Sequence, residues 1–280
     1  MFWSTVASGT NQPLQGIWGT SASDVWALGS GGTILHYNGT NWSSISSGTT
    51  QYLSGVWGTS ASNVWAVGDV GTILHYNGTS WSSVSSGTTQ FLTGVWGTST
   101  SDVWAVGNNG RILHYNGTSW SSVASGTTNI LFGVWGTSAS NVWAVGDFGT
   151  ALHYDGTTWV SFYTGTYQPL YGVWGTSASN VWAVGYGTIL HYNGTSWSSV
   201  ASGTTNPSNP LFGVWGSSAS DVWVVGYGTT ILHYNGTTWS RESSGTTPLY
   251  LYGVWGASSS TVVWAVGDVG TILRGAPPGG

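Results

Sequence analysis

Six histidines stand at one equivalent position of a repeat: His36, His75, His114, His153, His191 and His233, with Arg274 at the seventh. Imidazoles in such number raise two chemistries, a metal centre and acid–base catalysis. Zinc needs its ligands within about 2 Å of one point. The copies lie roughly 40 residues apart, one per repeat unit, and packed sheets stand about 10 Å from each other. Copies so placed cannot converge on an ion. They read as hydrogen-bonded structural groups between units, and neither a metal nor a cofactor is expected.

The carboxylates scatter in the same way. Asp24, Asp102 and Asp221 share a position with Asn63, Asn141 and Asn180, and exchange of Asp for Asn suits turn hydrogen bonding better than a required charge. Asp69, Asp147 and Asp268 recur in one loop, a single copy per unit, and Glu242 is the only glutamate. A glycosidase needs two carboxyls within about 5 to 10 Å. The arginines that would hold an acidic sugar are three and dispersed: Arg111, Arg241 and Arg274. No GxSxG elbow accompanies the many serines. No catalytic residue is expected, and the chain reads as a binder and not an enzyme.

Tryptophan offers more. Two sets, such as Trp57 and Trp65, read as core between units. A third set, Trp3, Trp42, Trp81, Trp120, Trp159, Trp197 and Trp239, falls on the last strand of each unit. An aromatic ring left open there would be a platform for the C–H face of a sugar. Covered, it would be a rim residue folded over its own hairpin turn.

The elements that position these residues follow from the repeat. Trp18, Trp57, Trp96, Trp135, Trp174, Trp215 and Trp255 mark seven copies of one unit. Each unit reads as four short strands, LxGVWGT, NVWAVGD, GTILHYN and SWSSVSS, rich in β-branched and aromatic residues and bounded by Gly, Ser, Asn or Asp. Apolar residues on both parities, as in Val64, Trp65, Ala66 and Val67, require sheets covered on both faces. Asn77-Gly78 and its counterparts at Asn38, Asn116, Asn193 and Asn235, with Asp155-Gly156 in the fourth copy, are hairpin turns. Four strands at this period predict an all-β, seven-bladed β-propeller, one domain over residues 1–280. The seventh unit lacks its last strand. FWSTVASGT at the N-terminus matches NWSSISSGT of the next copy, so residues 1–9 supply the outer strand of blade 7 and 275–280 form a tail.

Composition narrows the partners. Charged residues make up 4%, lysine is absent, and the net charge is −5. With no basic patch, neither nucleic acid nor an anionic membrane is an expected partner, and no stretch is long and apolar enough to span a bilayer. Cysteine is absent, which removes disulfides and thiolate chemistry. The start, MFWSTVASGT, has neither the basic residues nor the apolar run of a signal peptide. Six N-glycosylation sequons are present, five of them at Asn-Gly turns that already explain them.

The unit GVWGTSASDVWAVG…GTILHYNGTSW resembles the Trp-rich propeller repeats of bacterial secreted or surface proteins. Its second half is similar in layout to the seven-bladed lectins of the Photorhabdus lectin/tectonin type. The resemblance covers all seven units and implies a secreted or surface location. No sugar-site residue carries over, because the strand before the Asn-Gly turn differs from the lectin pattern. The NGTSW turn is also one residue too short for a sialidase Asp-box.

Copies vary in two places. One is the loop between second and third strands (GSGG, GDVG, GNNG, GDFG, GYG), and the other leads into the next unit. Blade topology projects both from one face, where Tyr52, Phe91, Phe132, Tyr171, Phe212, Tyr250 and Tyr252 gather. That face is the place for a ligand or partner. The leading expectation is a monomeric lectin-like module with several weak, near-equivalent sites for neutral saccharides. The alternative is a structural or protein-interaction propeller, recently amplified or engineered, with no small ligand. Open outer tryptophans favour the first reading and covered ones the second.

Overall fold

A computed structural model describes residues 1–202, 209–245, 249–258 and 260–277. The chain forms seven sheets of four antiparallel strands each, arranged as a ring. Blade 2 shows the pattern. Its inner strand is Leu53–Ser60, followed outward by Asn63–Gly68, Ile73–Tyr76 and Trp81–Ser83. The register places Trp57, Trp65 and His75 side by side, and Gly58, Val64, Tyr76 and Trp81 in the adjoining row. Successive side chains of a strand point to opposite faces, so the first row faces the following blade and the second faces the preceding one.

Each seam between blades is therefore built from unlike halves. Trp65, Val67 and Ile73 of blade 2 pack against Leu92, Val95, Val103, Ala105, Leu113 and Trp120 of blade 3. Room for the inner tryptophan comes from glycine. A Cβ at Gly97 would stand 2.8 Å from Trp57 Cη2 and 2.4 Å from the Asp102 carbonyl. The repeated GVWG motif thus encodes a bulky ring on one blade and the gap that admits it on the next.

The ring closes as the sequence implies. Phe2–Val6 pairs with Ile272–Ala276, with Trp3 opposite Gly275 and Ser4 opposite Arg274. That last strand continues past Gly275, so the expected tail is shorter than 275–280, and its residues 278–280 lie outside the described residues. In the longer connection into blade 6, with its sequence NPSNP at residues 206–210, only Asn209 and Pro210 of that stretch are described.

Two faces result. The Asn-Gly hairpins and the turns between first and second strands meet at one face, which varies little over blades 1 to 6 and differs at blade 7, where no Asn-Gly hairpin joins the outer strand. The connections between blades and the short 3-10 turns after the second strands meet at the other. No helix among the described residues is long and apolar enough to cross a membrane.

Candidate binding site

Five of the six histidines find a partner inside their own blade; in blade 2 the buried His75 Nε2 and Asn63 Oδ1 make no hydrogen bond to a described residue. His36 bonds Asp24 at 2.6 Å, His114 bonds Asp102 at 2.6 Å and His233 bonds Asp221 at 2.7 Å. Asn141 and Asn180 serve His153 and His191 in the same way, both at 2.9 Å. At these five places the Asp or Asn holds an imidazole, and the carboxylates of Asp24, Asp102 and Asp221 also bridge the turn, accepting from the hydroxyls of Thr20, Thr98 and Ser217. Serine closes the same turn: Ser23 N–H donates to Ser21 Oγ, and the pattern repeats along the ring. Each imidazole also lies against the Trp of the second strand, 4.0 to 4.5 Å between ring centres. Burial lowers the pKa of His75, His153 and His191, with Asp155 pulling His153 weakly the other way. Where a hydroxyl joins a pair, as Ser217 does, it donates to the carboxylate and not to the imidazole. That geometry does not activate a nucleophile. Among the described residues no group of three His, Cys, Asp or Glu is placed to hold a metal.

The outer tryptophans are covered, against the expectation of open platforms. Trp3, Trp42, Trp81, Trp120, Trp159, Trp197 and Trp239 are between 4% and 9% exposed. Strand parity is the reason. Trp81 shares its row with Val64 and Tyr76, so it turns into the seam, edge-on to Trp26 of the preceding blade at 5.4 Å. Tyr76 closes its other side at 5.4 Å. The same packing recurs at the other five Tyr-bearing seams. Aromatic pairs of this kind contribute about 0.5 to 1.5 kcal/mol each beyond area burial. These rings stabilise the propeller and leave no face for a sugar to stack on.

The variable face carries the rest. The expected aromatic residues divide into two positions. Tyr52 and Phe91 precede the first leucine of the inner strand and touch each other at 5.7 Å. Phe132, Tyr171, Phe212 and Tyr252 follow that leucine, at a bulge where the inner strand begins. They form one continuous arc at the channel mouth, with ring centres 5.1, 5.4 and 5.3 Å apart. Tyr250 and Tyr227 extend its end. Blades 1 to 3 hold Gln15, Ser54 and Thr93 at the same position. Ser54 and Thr93 use it structurally, each hydroxyl donating at 2.6 Å to a leucine carbonyl of the next blade.

Charge gathers at one end of the arc. Tyr252 donates to Asp268 at 2.9 Å, and the Tyr250 amide donates to the same carboxylate at 3.2 Å. Burial first, and the charge of Asp268 second, push the Tyr52 phenol up to about 12. The Tyr252 phenol is raised further by burial and by its bond to Asp268. Three further residues on this face were not singled out from the sequence. Val70, Phe148 and Val269 cap the 3-10 turns, are 53%, 67% and 57% exposed, and adopt φ of 53 to 54°. Such a conformation costs a bulky or β-branched residue about 1 to 3 kcal/mol. The signal was present: blade 1 places Gly31, with φ of 63°, at that position.

No protein-family model matches the chain, and no curated protein matches it. Solved structures do. The chain is similar to YCF48 bound to D1 peptide at 17% identity and a TM-score of 0.81, covering 98% of this chain and 95% of that one. A catalytically inactive virginiamycin B lyase from Staphylococcus aureus, with quinupristin, aligns at 12% identity and a TM-score of 0.86 over 98% of both chains. The WD40 propeller domain of Doa1 aligns at 11% identity and a TM-score of 0.80, over 97% of this chain and 94% of that one. At these identities the likeness is one of fold: the chain is a seven-bladed β-propeller, similar to propellers whose described ligands include a peptide and whose members include an enzyme.

Proposed function

We propose that the chain is a non-catalytic, peptide-binding propeller that receives an apolar segment of a protein partner across the aromatic arc at the channel mouth. One observation carries this reading. Four consecutive blades place contiguous aromatic rings at a position that blades 2 and 3 fill with a hydroxyl brace. The fold does not need those rings, and half-buried aromatics are what a binding surface uses for anchors. Strained, exposed Val70, Phe148 and Val269 on the same face add apolar contact. The carboxylates of Asp69, Asp147 and Asp268 lie on this face against one arginine, Arg111, so a basic residue beside the apolar anchor gives the better complement. The peptide-bound YCF48 propeller supports the class of ligand.

Display of random peptides against the purified protein, with a glycan array run beside it, tests the reading. Enrichment of peptides with aromatic or branched aliphatic residues flanked by Lys or Arg is the expected result. Saccharide signals without peptide enrichment, or silence on both, would reject it in favour of a lectin or a ligand-free scaffold.

A further inference from the structure

The seven seams are not alike. Six of them hold a tyrosine from the third strand, Tyr37, Tyr76, Tyr115, Tyr154, Tyr192 or Tyr234, with its ring 4.8 to 5.1 Å from the Trp of the preceding blade. At the seam between blades 6 and 7 the same position is Gly275, on the strand whose outer neighbour comes from the N-terminus. Met1 and Trp3 turn into this place: a Cβ on Gly275 would stand 2.8 Å from Met1 Sδ and 2.9 Å from Trp3 Cε2. The Trp3 ring stands 5.7 Å from Trp223 at 69°, where the other six outer tryptophans stand 5.2 to 5.5 Å away at 81 to 89°.

A cavity of about 560 Å³ opens at this seam on the face opposite the aromatic arc; the seam between blades 5 and 6, which keeps Tyr234, holds one of about 590 Å³ whose lining has Asn180 and His191 and no carboxylate. Trp215, Trp223 and Val263 form the apolar walls of the former, Met1 lies at its lip, and Asp221 and His233 provide polar groups. The Asp–His pair is remodelled here. The Asp221 side chain is 37% exposed, against 19% and 16% for Asp24 and Asp102. Asp221 Oδ1 accepts from His233 at 2.7 Å and from Trp223 Nε1 at 3.0 Å, while Oδ2 accepts from Ser217. A carboxylate has about four lone-pair sites, so Oδ2 retains one acceptor site, and it belongs to the most open of the three paired carboxylates. The N-terminal ammonium beside the cavity is already paired with Glu242 at 3.4 Å.

We propose that this seam cavity binds a small organic cation, an ammonium head on an aromatic or branched aliphatic body. The head donates to Asp221 Oδ2, and the body lies in the cavity against Trp223 and Trp215. Concave, largely apolar lining with a few converging polar groups is the usual make-up of a small-ligand site, and indole faces attract cations. A bare metal ion would meet one carboxylate there and no cluster of further ligands.

Phenethylammonium is a suitable probe, with neutral 2-phenylethanol as its isostere, followed by ligand-observed NMR and calorimetry on the whole chain. Saturable binding of the amine, at least about tenfold tighter than the alcohol, is expected from a charge-assisted hydrogen bond. Asp221→Asn should weaken the amine about ten- to a hundredfold. That change is structurally mild, since Asn141 and Asn180 hold the histidine in sister blades. Asp102→Asn should bind as the wild type does. Thr261→Trp, on the loop at the mouth, leaves the Asp221 network untouched and should also abolish binding. Equal affinity for amine and alcohol, equal loss in Asp102→Asn and Asp221→Asn, or no saturation at millimolar amine would each overturn the proposal.

Discussion

Blades 2 and 3 and blades 4 to 7 meet the same local demand in two ways. Where the inner strand bulges, Ser54 and Thr93 brace the next blade with a hydroxyl. Phe132 and Phe212 can make no such bond, and with Tyr171 and Tyr252 they stack along the channel mouth. Around them the seams, the Asn-Gly turns and the inner glycines repeat almost without change. The difference separates what the ring requires from what it presents. A position tolerant of Ser, Thr, Phe and Tyr is not fixed by packing, and a run of four aromatics there builds a surface.

The sharpest way to break that contrast on the structural side is to remove the braces. Ser54→Ala with Thr93→Val should cost about 2 kcal/mol, one net hydrogen bond per site. For a chain of 280 residues that lowers Tm by roughly 3 to 4 °C, measured by calorimetry. The aromatic arc should then still bind its peptide. Loss of binding without loss of stability would place the ligand on blades 2 and 3.

A smaller effect sharpens the aromatic side. The folded protein holds the Tyr52 proton up to about 12, whereas an unfolded tyrosine releases it near 10. Between these values the folded state binds more protons, so stability should fall as pH rises above about 10. Tyrosinate absorbance should show Tyr52 and Tyr252 titrating late. Asp268→Asn should bring both down only part of the way, because burial is the larger cause. A full return to ordinary titration would mean the phenols are not buried as described.

The smallest effect lies on the uniform hairpin side. Burial holds the pKa of His75, His153 and His191 below 6.5. The unfolded chain then binds more protons, so stability should decline as pH falls below about 6.5. A series of Tm values from pH 7.5 to 5 should flatten when all three become Gln. An unchanged slope would assign the acid sensitivity to the carboxylates.

Much of this was legible in the sequence, and the gaps have physical causes. The period of the tryptophans and the displaced strand around Trp3 gave the ring and its closure, because both depend on spacing alone. The variable face was legible because copies could be compared within one chain. The burial of Trp81 was not, since it depends on cross-strand register: only opposite Tyr76 does its ring turn into the seam. The Asp24–His36 bond joins residues on two strands and needs that register too. The bulge also escaped notice, so Tyr52 and Phe132 read as one set although they occupy different positions. Gly275 looked like the start of a tail; its meaning appears only when it is seen to replace a tyrosine that six seams share.

The central claim is that the arc on blades 4 to 7 is the recognition surface. Its most direct test gives Phe132, Tyr171 and Phe212 the threonine that blade 3 already carries. Calorimetric titration of a display-selected peptide into this triple variant and into the wild type measures the outcome. The account predicts affinity at least tenfold weaker, since aromatic hot spots commonly carry 2 kcal/mol or more, with Tm changed by only a few degrees. Equal affinity in a variant that folds normally would contradict it.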